Sequence, residues 1–318
     1  MRRIKLGFVG TGIATWKLHW PALRKRRHLF EFTAAFNRTR AKAEAFAREA
    51  GIPRVCGSLD ELLALPQVEA VLVSLPIEST ASTALRCLQA GRHVLAEKPL
   101  AATLEEGRGL VRRAGRLGPV LMVAENYFFW PPVRKAVQLV RRGELGKVRL
   151  MHAFQASWAD EGSPYFHTAW RRKPRFPGGY LLDAGVHTAH VLREMFGMPL
   201  QVQSLKARFN PRLPPADTLL AQMRFKGGAL GSWVSCFSAR GKGGPLMELY
   251  GSRADLVLEW GRCRLIPHGG VERVFTGSEN GYDGEFDHFH AVVARGRRLQ
   301  FTPRMALADL ELMLRLIG

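Results

Sequence analysis

Residues 7–15 read GFVGTGIAT, an apolar stretch closing on two glycines one residue apart, Gly10 and Gly12. The residues leading in, IKLGFV (4–9), form a short continuous apolar run of the kind buried in a parallel sheet. A helical pattern follows. Glycines between a strand and a helix let the backbone turn tightly and approach a pyrophosphate at the helix amino end. Gly10, Gly12, Ile13 and Ala14 are therefore the cofactor candidates of this turn. Thr15 stands where the third glycine of G-x-G-x-x-G is usual, so an ordinary strand-to-helix turn is the competing reading.

What surrounds the turn supports the dinucleotide reading. Further apolar runs occur at FTAAFN (32–37), EAVLVSL (69–75), HVLA (93–96) and VLMVA (120–124). Amphipathic stretches at 39–50, 58–65, 78–90 and 103–117 separate them. Such alternation predicts a doubly wound parallel sheet whose ligand crevice lies beyond the carboxyl ends of the strands. After about residue 123 the pattern changes. A helix around 131–142 leads to GKVRLMHAFQASW, a strand candidate, then to a loop rich in Pro, Gly and aromatics at 159–179. A helix is expected from Leu181, and strand candidates run from 200 to 275, punctuated by NPRLPP, KGG and GKGGP. Helices near 284–296 and 303–317 close the chain. Successive strands without regular helices predict a mostly antiparallel sheet and an α+β second domain. The expected division is 1–122 for dinucleotide binding and 123–318 for substrate and assembly.

With 318 residues, 47% of them hydrophobic, the chain can bury a sizeable core in two domains. No run of about 18 apolar residues occurs, so no membrane span is expected. The start MRRIKLGFVGTG is basic and then apolar, but the apolar part is short and runs into the glycine turn, which argues against a secretion signal. Cys56, Cys87, Cys236 and Cys263 are scattered without metal-ligand spacing and read as incidental thiols in a reducing cytoplasm. A formal charge of +20 raises the question of nucleic acid. Its carriers are dispersed, as in RKRRH (24–28) and RRKPR (171–175), with no aromatic-basic recognition motif. Specific nucleic-acid binding is not expected; adhesion at low salt is.

Three stretches carry chemistry. The second strand ends FNRT, where a fold selecting NAD usually places an acid for the ribose 2′-hydroxyl. Asn37 is neutral and Arg38 cationic, which suits a 2′-phosphate and favours NADP, with NAD possible; otherwise Arg38 is a surface charge opening the next helix. HVLAEKPLA (93–101) ends a strand at the same edge, and Lys98 before Pro99 is held extended or in a turn, aiming its amine at the crevice. GGYLLDAGVHTAHVL (178–192) sets Asp183 and His187 a helical turn apart, with His190 close to the same face. This pair reads as catalytic, as part of a metal site with His190, or as a buried pair satisfying itself.

Taken together these residues resemble the Gfo/Idh/MocA family (glucose–fructose oxidoreductase, inositol dehydrogenase, rhizopine catabolism) along essentially the whole chain. The resemblance rests on GTGIA, ALRCLQAGRHVLAEKPLA, AENYFFWPPVRKAVQLVRRGELGKV, WRRKPRFPGGYLLDAGVHTAHVL and ELYGSRADLVLE. It implies an α/β Rossmann domain followed by an α+β domain with a large open, mostly antiparallel sheet, often an interface of homodimers or homotetramers. It also implies NAD(P)-dependent hydride transfer on the secondary alcohols or ketones of sugars, polyols and related small molecules. Carried over, Lys98 resembles the lysine that hydrogen-bonds the reacting oxygen, and Asp183 and His187 resemble its partners in the second domain. Leu75, Pro76, Glu97 and Lys98 are expected along the cofactor, while Asn126 and Arg171 fall where relatives meet nicotinamide, phosphate or substrate. Pro99 resembles a proline often preceded by a cis bond.

Three departures stand out: His190 for a frequent Asp, Tyr180 for a third glycine, and LPIEST lacking the usual Asn after Pro76. On this reading His187 is the general acid/base, Lys98 steadies the oxyanion or shares the proton, and Asp183 orients the imidazole or binds substrate. No metal is expected. The glycine pair at 178–179 is expected to let the loop fold closely against the nicotinamide crevice. Trp158, Tyr165, Phe166, Trp170, Phe176 and Tyr180 are either stacking surfaces for substrate or core, and Arg171, Arg172, Lys173 and Arg175 suit phosphate or an acidic substrate. A dinucleotide-binding regulator without turnover, and a glycosidase or hydride shuttle with a permanently held cofactor, are the alternatives.

Overall fold

The computed structural model describes residues 2–159, 161–241, 244–277 and 280–318. Of the GKGGP turn, Lys242 and Gly243 lie outside the described residues. The chain forms two compact units, Met1–Glu125 with Tyr282–Leu307, and Asn126–Gly281 with Ala308–Gly318.

In the first unit six strands are all parallel: β1 (Ile4–Val9), β2 (Phe30–Phe36), β3 (Arg54–Val55), β4 (Ala70–Val73), β5 (His93–Glu97) and β6 (Leu121–Ala124). Their order, β3-β2-β1-β4-β5-β6, is that of a doubly wound dinucleotide-binding sheet. The strands read as unbroken apolar runs because both faces are covered; Ala70, Val71, Leu72 and Val73 are all fully buried. Helices Arg40–Ala50, Leu59–Ala64, Ile77–Gln89 and Leu104–Ala114 fall where the amphipathic stretches predict them. Ser58 and Thr103 cap two of these helices by accepting the backbone N–H of Glu61 and Glu106. The two-residue β3 is too short for any periodicity and was not expected.

The single boundary at 122/123 needs correcting. Residues 282–307 group with the first unit because helix Tyr282–Arg295 buries Phe286 and Phe289 completely. Phe286 meets Phe30 of β2 edge-on, with ring centroids 6.0 Å apart. Each such ring is worth about 2 kcal/mol in removed apolar surface.

The second unit carries an eight-stranded sheet: β7 (Leu150–Ala156), β8 (Gln201–Ala207), β9 (Thr218–Arg224), β10 (Leu230–Cys236), β11 (Met247–Tyr250), β12 (Ala254–Glu259), β13 (Arg262–Pro267) and β14 (Arg273–Thr276). Its order is β14-β13-β12-β11-β7-β10-β9-β8, antiparallel throughout except between β7 and β10. One face is core, with Trp233 fully buried under helix Gly179–Phe196. Gly185 on that helix permits the approach: a Cβ there would lie 2.6 Å from Met313 Cε and 3.3 Å from Trp233 Cη2. The opposite face exposes Leu150, Phe154, Leu205, Leu220, Leu230 and Tyr250. The α/β plus mostly antiparallel α+β architecture is as the sequence predicts.

Candidate functional site

The glycine turn is built to hold an open space in front of a helix. Gly10 has φ +94°, and a Cβ there would lie 2.1 Å from the Ser74 carbonyl oxygen, so only glycine fits. Its N–H donates to Phe36 O at 2.8 Å, tying the turn to the end of β2. A Cβ at Gly12 would meet nothing within 4 Å. The helix that follows begins at Ile13 and passes through a π turn at Thr15–His19, an irregularity frequent at functional sites. Thr15, where a third glycine is usual, is fully buried and its hydroxyl donates to Gly10 O at 2.8 Å. The residue that weakens the sequence motif thus closes the turn.

Asn37 completes the support. Its side-chain oxygen accepts the Thr11 N–H at 3.1 Å and its amide donates to Thr39 O at 3.0 Å. Arg38, the next residue, is exposed and has no ion-pair partner among the described residues. Thr11 was missed by sequence reasoning. Its hydroxyl is buried without a hydrogen-bond partner, a costly condition unless a ligand supplies one. Open space over Gly12, helix-start amides that lack intrahelical acceptors and this orphan hydroxyl all fit a dinucleotide pyrophosphate.

Leu75 and Pro76 follow β4, and Glu97 ends β5 with Lys98 directly after it, so these residues share the carboxyl edge of the sheet with Gly10, Gly12, Asn37 and Arg38. The Lys98–Pro99 bond is cis. Glu97 is buried; its Oε2 accepts the Lys98 N–H at 3.1 Å and its Oε1 lies 2.6 Å from His19 Nε2.

In the second unit, helix Gly179–Phe196 positions the polar residues of the quoted pair. Gly178 and Gly179 have φ +81° and +49°. Cβ atoms there would lie 1.9 Å from Ile317 Cδ1 and 2.2 Å from Pro214 O. The glycine pair is therefore required by close packing within its own unit. Asp183 is buried and its Oδ2 accepts Arg171 Nε at 2.7 Å. The guanidinium lies over Trp170, 3.9 Å from the ring centroid, and also meets the Tyr165 ring at 5.0 Å. His187 is stacked on Tyr127, centroids 4.6 Å apart and planes 17° from parallel, a contact between two separate stretches that no local pattern announced.

His190 turns elsewhere: its Nδ1 lies 3.0 Å from Asp309 Oδ2 and the ring is 1% exposed. Asn126 donates to Asn280 O at 2.6 Å, so its amide has a structural partner. The aromatic set divides, with Phe166 and Phe176 in the core, Trp170 and Tyr165 around Arg171, and Trp158 exposed. Arg172, Lys173 and Arg175 are exposed. Among the described residues no group of three His, Cys, Asp or Glu side chains converges as a metal site, and no helix is long and apolar enough to cross a membrane.

A doubly wound sheet with a phosphate-shaped glycine turn at its switch point, joined to an α+β unit, defines the class of two-unit dinucleotide-dependent oxidoreductases. The chain belongs to the Gfo/Idh/MocA family: residues 4–125 match its oxidoreductase, NAD-binding Rossmann fold model, and residues 133–257 match its C-terminal domain. An oxidoreductase of Thermotoga maritima has the same fold across 100% of this chain and 97% of its own, with TM-score 0.93 and 35% identity. The trans-1,2-dihydrobenzene-1,2-diol dehydrogenase of Bos taurus is 26% identical over 98% of this chain and 93% of its own. The scyllo-inositol 2-dehydrogenase (NADP+) of Bacillus subtilis is 31% identical over 63% of this chain and 53% of its own.

Proposed function

We propose that the protein is an NADP-preferring dehydrogenase/reductase that moves hydride between nicotinamide and a secondary alcohol or ketone of a sugar, polyol or diol. The observation that carries this reading is the glycine turn with its orphan Thr11 hydroxyl, at the same sheet edge as Lys98. The diol and inositol dehydrogenases among the relatives support the substrate class. Preference for NADP rests on Arg38, exposed and unpaired beside the turn, and on the absence of an acid at Asn37.

The bound nicotinamide supplies the hydride chemistry. The amides at the start of the first helix and Thr11 hold pyrophosphate, and Arg38 meets the 2′-phosphate. Lys98 donates to the substrate oxygen and stabilises its negative charge as the carbonyl is reduced. His187, an imidazole able both to donate and to accept a proton, gives or takes the hydroxyl proton, and stacking on Tyr127 limits the rotation of its ring. Arg171 donates to Asp183 and fixes the direction of its carboxyl group, which accepts from a substrate hydroxyl.

The protein assembles as a dimer or tetramer through the apolar outer face of the eight-stranded sheet. Leu150 pairs across strands with Leu230 and Tyr250, and Leu220 with Leu205, so the exposed apolar groups form two clusters on that face, one on either side of the row His152, Ser232 and Gln222. All four cysteines are free, which suits a reducing cytoplasm.

The test combines binding with turnover. NADPH should bind more tightly than NADH by fluorescence titration, and Arg38→Ala should erase most of the difference. Lys98→Ala and His187→Ala should each lower kcat on polyol substrates by about 10²-fold or more, with dinucleotide affinity changed far less. Equal affinities in the unmodified protein refute the Arg38 assignment. Wild-type turnover in either alanine variant refutes the catalytic assignment.

A further inference from the structure

Three carboxyl groups and one imidazole gather inside the first unit on elements far apart in the sequence. His19 closes the π turn after the glycine loop, Glu97 ends β5, Glu125 follows β6, and Glu285 lies in the first turn of helix Tyr282–Arg295. All four are buried, His19 and Glu285 completely. His19 Nε2 lies 2.6 Å from Glu97 Oε1, and its Nδ1 lies 4.0 Å from Glu285 Oε1. That nitrogen and both oxygens of Glu285 have no hydrogen-bond partner. Tyr282 and Phe286, on the same helix as Glu285, set their ring edges against the imidazole at 5.6 and 5.7 Å. On the outward side of that helix, Asp283 and Asp287 are occupied by Arg26.

The arrangement dictates where protons reside. Burial, with Glu97 and Glu125 facing it, raises the Glu285 carboxyl well above its ordinary value of 4.5. That direction favours the protonated form of Glu285. Glu97 accepts the Lys98 N–H with one oxygen and lies 2.6 Å from His19 Nε2 with the other, a geometry that favours the Nε2–H tautomer of His19. Nδ1 faces Glu285 Oε1 across 4.0 Å, with no other hydrogen-bond partner for either atom among the described residues. The order is Glu285, His19, Glu97, and the Glu97 end is bonded to the backbone N–H of Lys98.

We propose that His19 and Glu285 are positioning residues of the oxidoreductase, forming with Glu97 a buried chain that fixes the backbone from which the Lys98 amine projects. The inference rests on the assignment of Lys98 to the reaction. A displacement of an ångström at such a group costs up to about 10²-fold in rate. Neither His19 nor Glu285 needs to touch substrate or cofactor to matter.

Two measurements on the cofactor-free protein read the chain directly. Nitrogen NMR should find His19 as the Nε2–H tautomer. The infrared difference spectrum between wild type and Glu285→Gln at pH 7 should contain the carbonyl stretch of a protonated carboxylic acid. Linkage provides a third reading. A carboxyl raised above its unfolded value contributes fully below about pH 4.5 and loses that contribution as pH rises toward its folded value. The melting temperature of Glu285→Gln should therefore gain on that of wild type as pH rises above that point.

In turnover, His19→Phe keeps the ring but removes both nitrogens and should lower kcat about tenfold with dinucleotide KM within about twofold. His19→Gln, whose amide reaches the position of Nε2, should recover most of the loss. Glu285→Gln, which cannot ionise, should move the alkaline limb of the kcat–pH profile upward. Missing carboxylic acid intensity overturns the proposal. So does a wild-type kcat and pH profile in His19→Phe when Lys98→Ala has lost turnover. Full turnover by Lys98→Ala overturns the assignment of Lys98 itself, and the positioning role with it, while leaving the spectroscopic result standing.

Discussion

Thr11 illustrates how one atom can carry a functional argument. A buried hydroxyl without a partner costs on the order of 1–3 kcal/mol, and replacement by an apolar group of the same shape removes that cost. Thr11→Val should therefore leave the cofactor-free protein as stable as wild type or more so. The same change should weaken dinucleotide binding about tenfold, the loss of one hydrogen bond to a charged group. Calorimetric melting and fluorescence titration check both halves. A destabilised variant with unchanged affinity would mean that the hydroxyl serves the fold alone. His190 is the opposite case: paired with Asp309, which also accepts from Arg193, it belongs to a buried network that holds helices together.

At the scale of the element, the strand–turn–helix unit uses its two glycines differently. Gly10 sits in a left-handed conformation against a backbone carbonyl that cannot retreat without moving β4. Gly12 opens onto empty space. Gly10→Ala should lower the melting temperature strongly, because it combines positive φ with a backbone clash. Gly12→Ala should melt within about a degree of wild type and lose dinucleotide affinity, because its methyl group occupies the space a pyrophosphate needs. Equal loss of stability in both variants would show that Gly12 is structural. Helix Gly179–Phe196 obeys the same logic through Gly185, where Met313 and Trp233 take the place of a side chain.

For the whole molecule, the outer face of the second sheet and the net charge lead to separate expectations. Leu150 and Leu230 are cross-strand neighbours on the outer face, 45% and 49% exposed. Changing both to Glu should dissociate the assembly in sedimentation without altering the melting of the second unit's core. A monomeric wild type would remove the sheet as an interface. The charge of +20 is dispersed over both units and is partly engaged in local pairs such as Arg26 with Asp283 and Asp287. Binding to duplex DNA should be weak, indifferent to sequence and lost near physiological salt. A salt-resistant, sequence-selective complex in gel shifts would point to a second role.

The amino-acid sequence by itself determined the class of fold, the glycine turn, the helix bearing Asp183 and His187, and the edge where Lys98 emerges. These rest on local rules: buried parallel strands must be apolar on both faces, and tight turns need glycine. Partner choice was another matter. Asp183 is held by Arg171 from the one-turn helix Ala169–Arg172, too short to show a periodicity, His187 stacks on Tyr127, and His190 belongs to Asp309 at the far end of the chain. The glycine pair at 178–179 was legible as a constraint, but Ile317 and Pro214 were not legible as its cause. Helix Tyr282–Arg295 was visible as a helix while its allegiance to the first unit was not. Only the tertiary structure decided these matters, because burial of Phe286 or Glu285 depends on which distant surfaces meet, and no spacing along the chain encodes that.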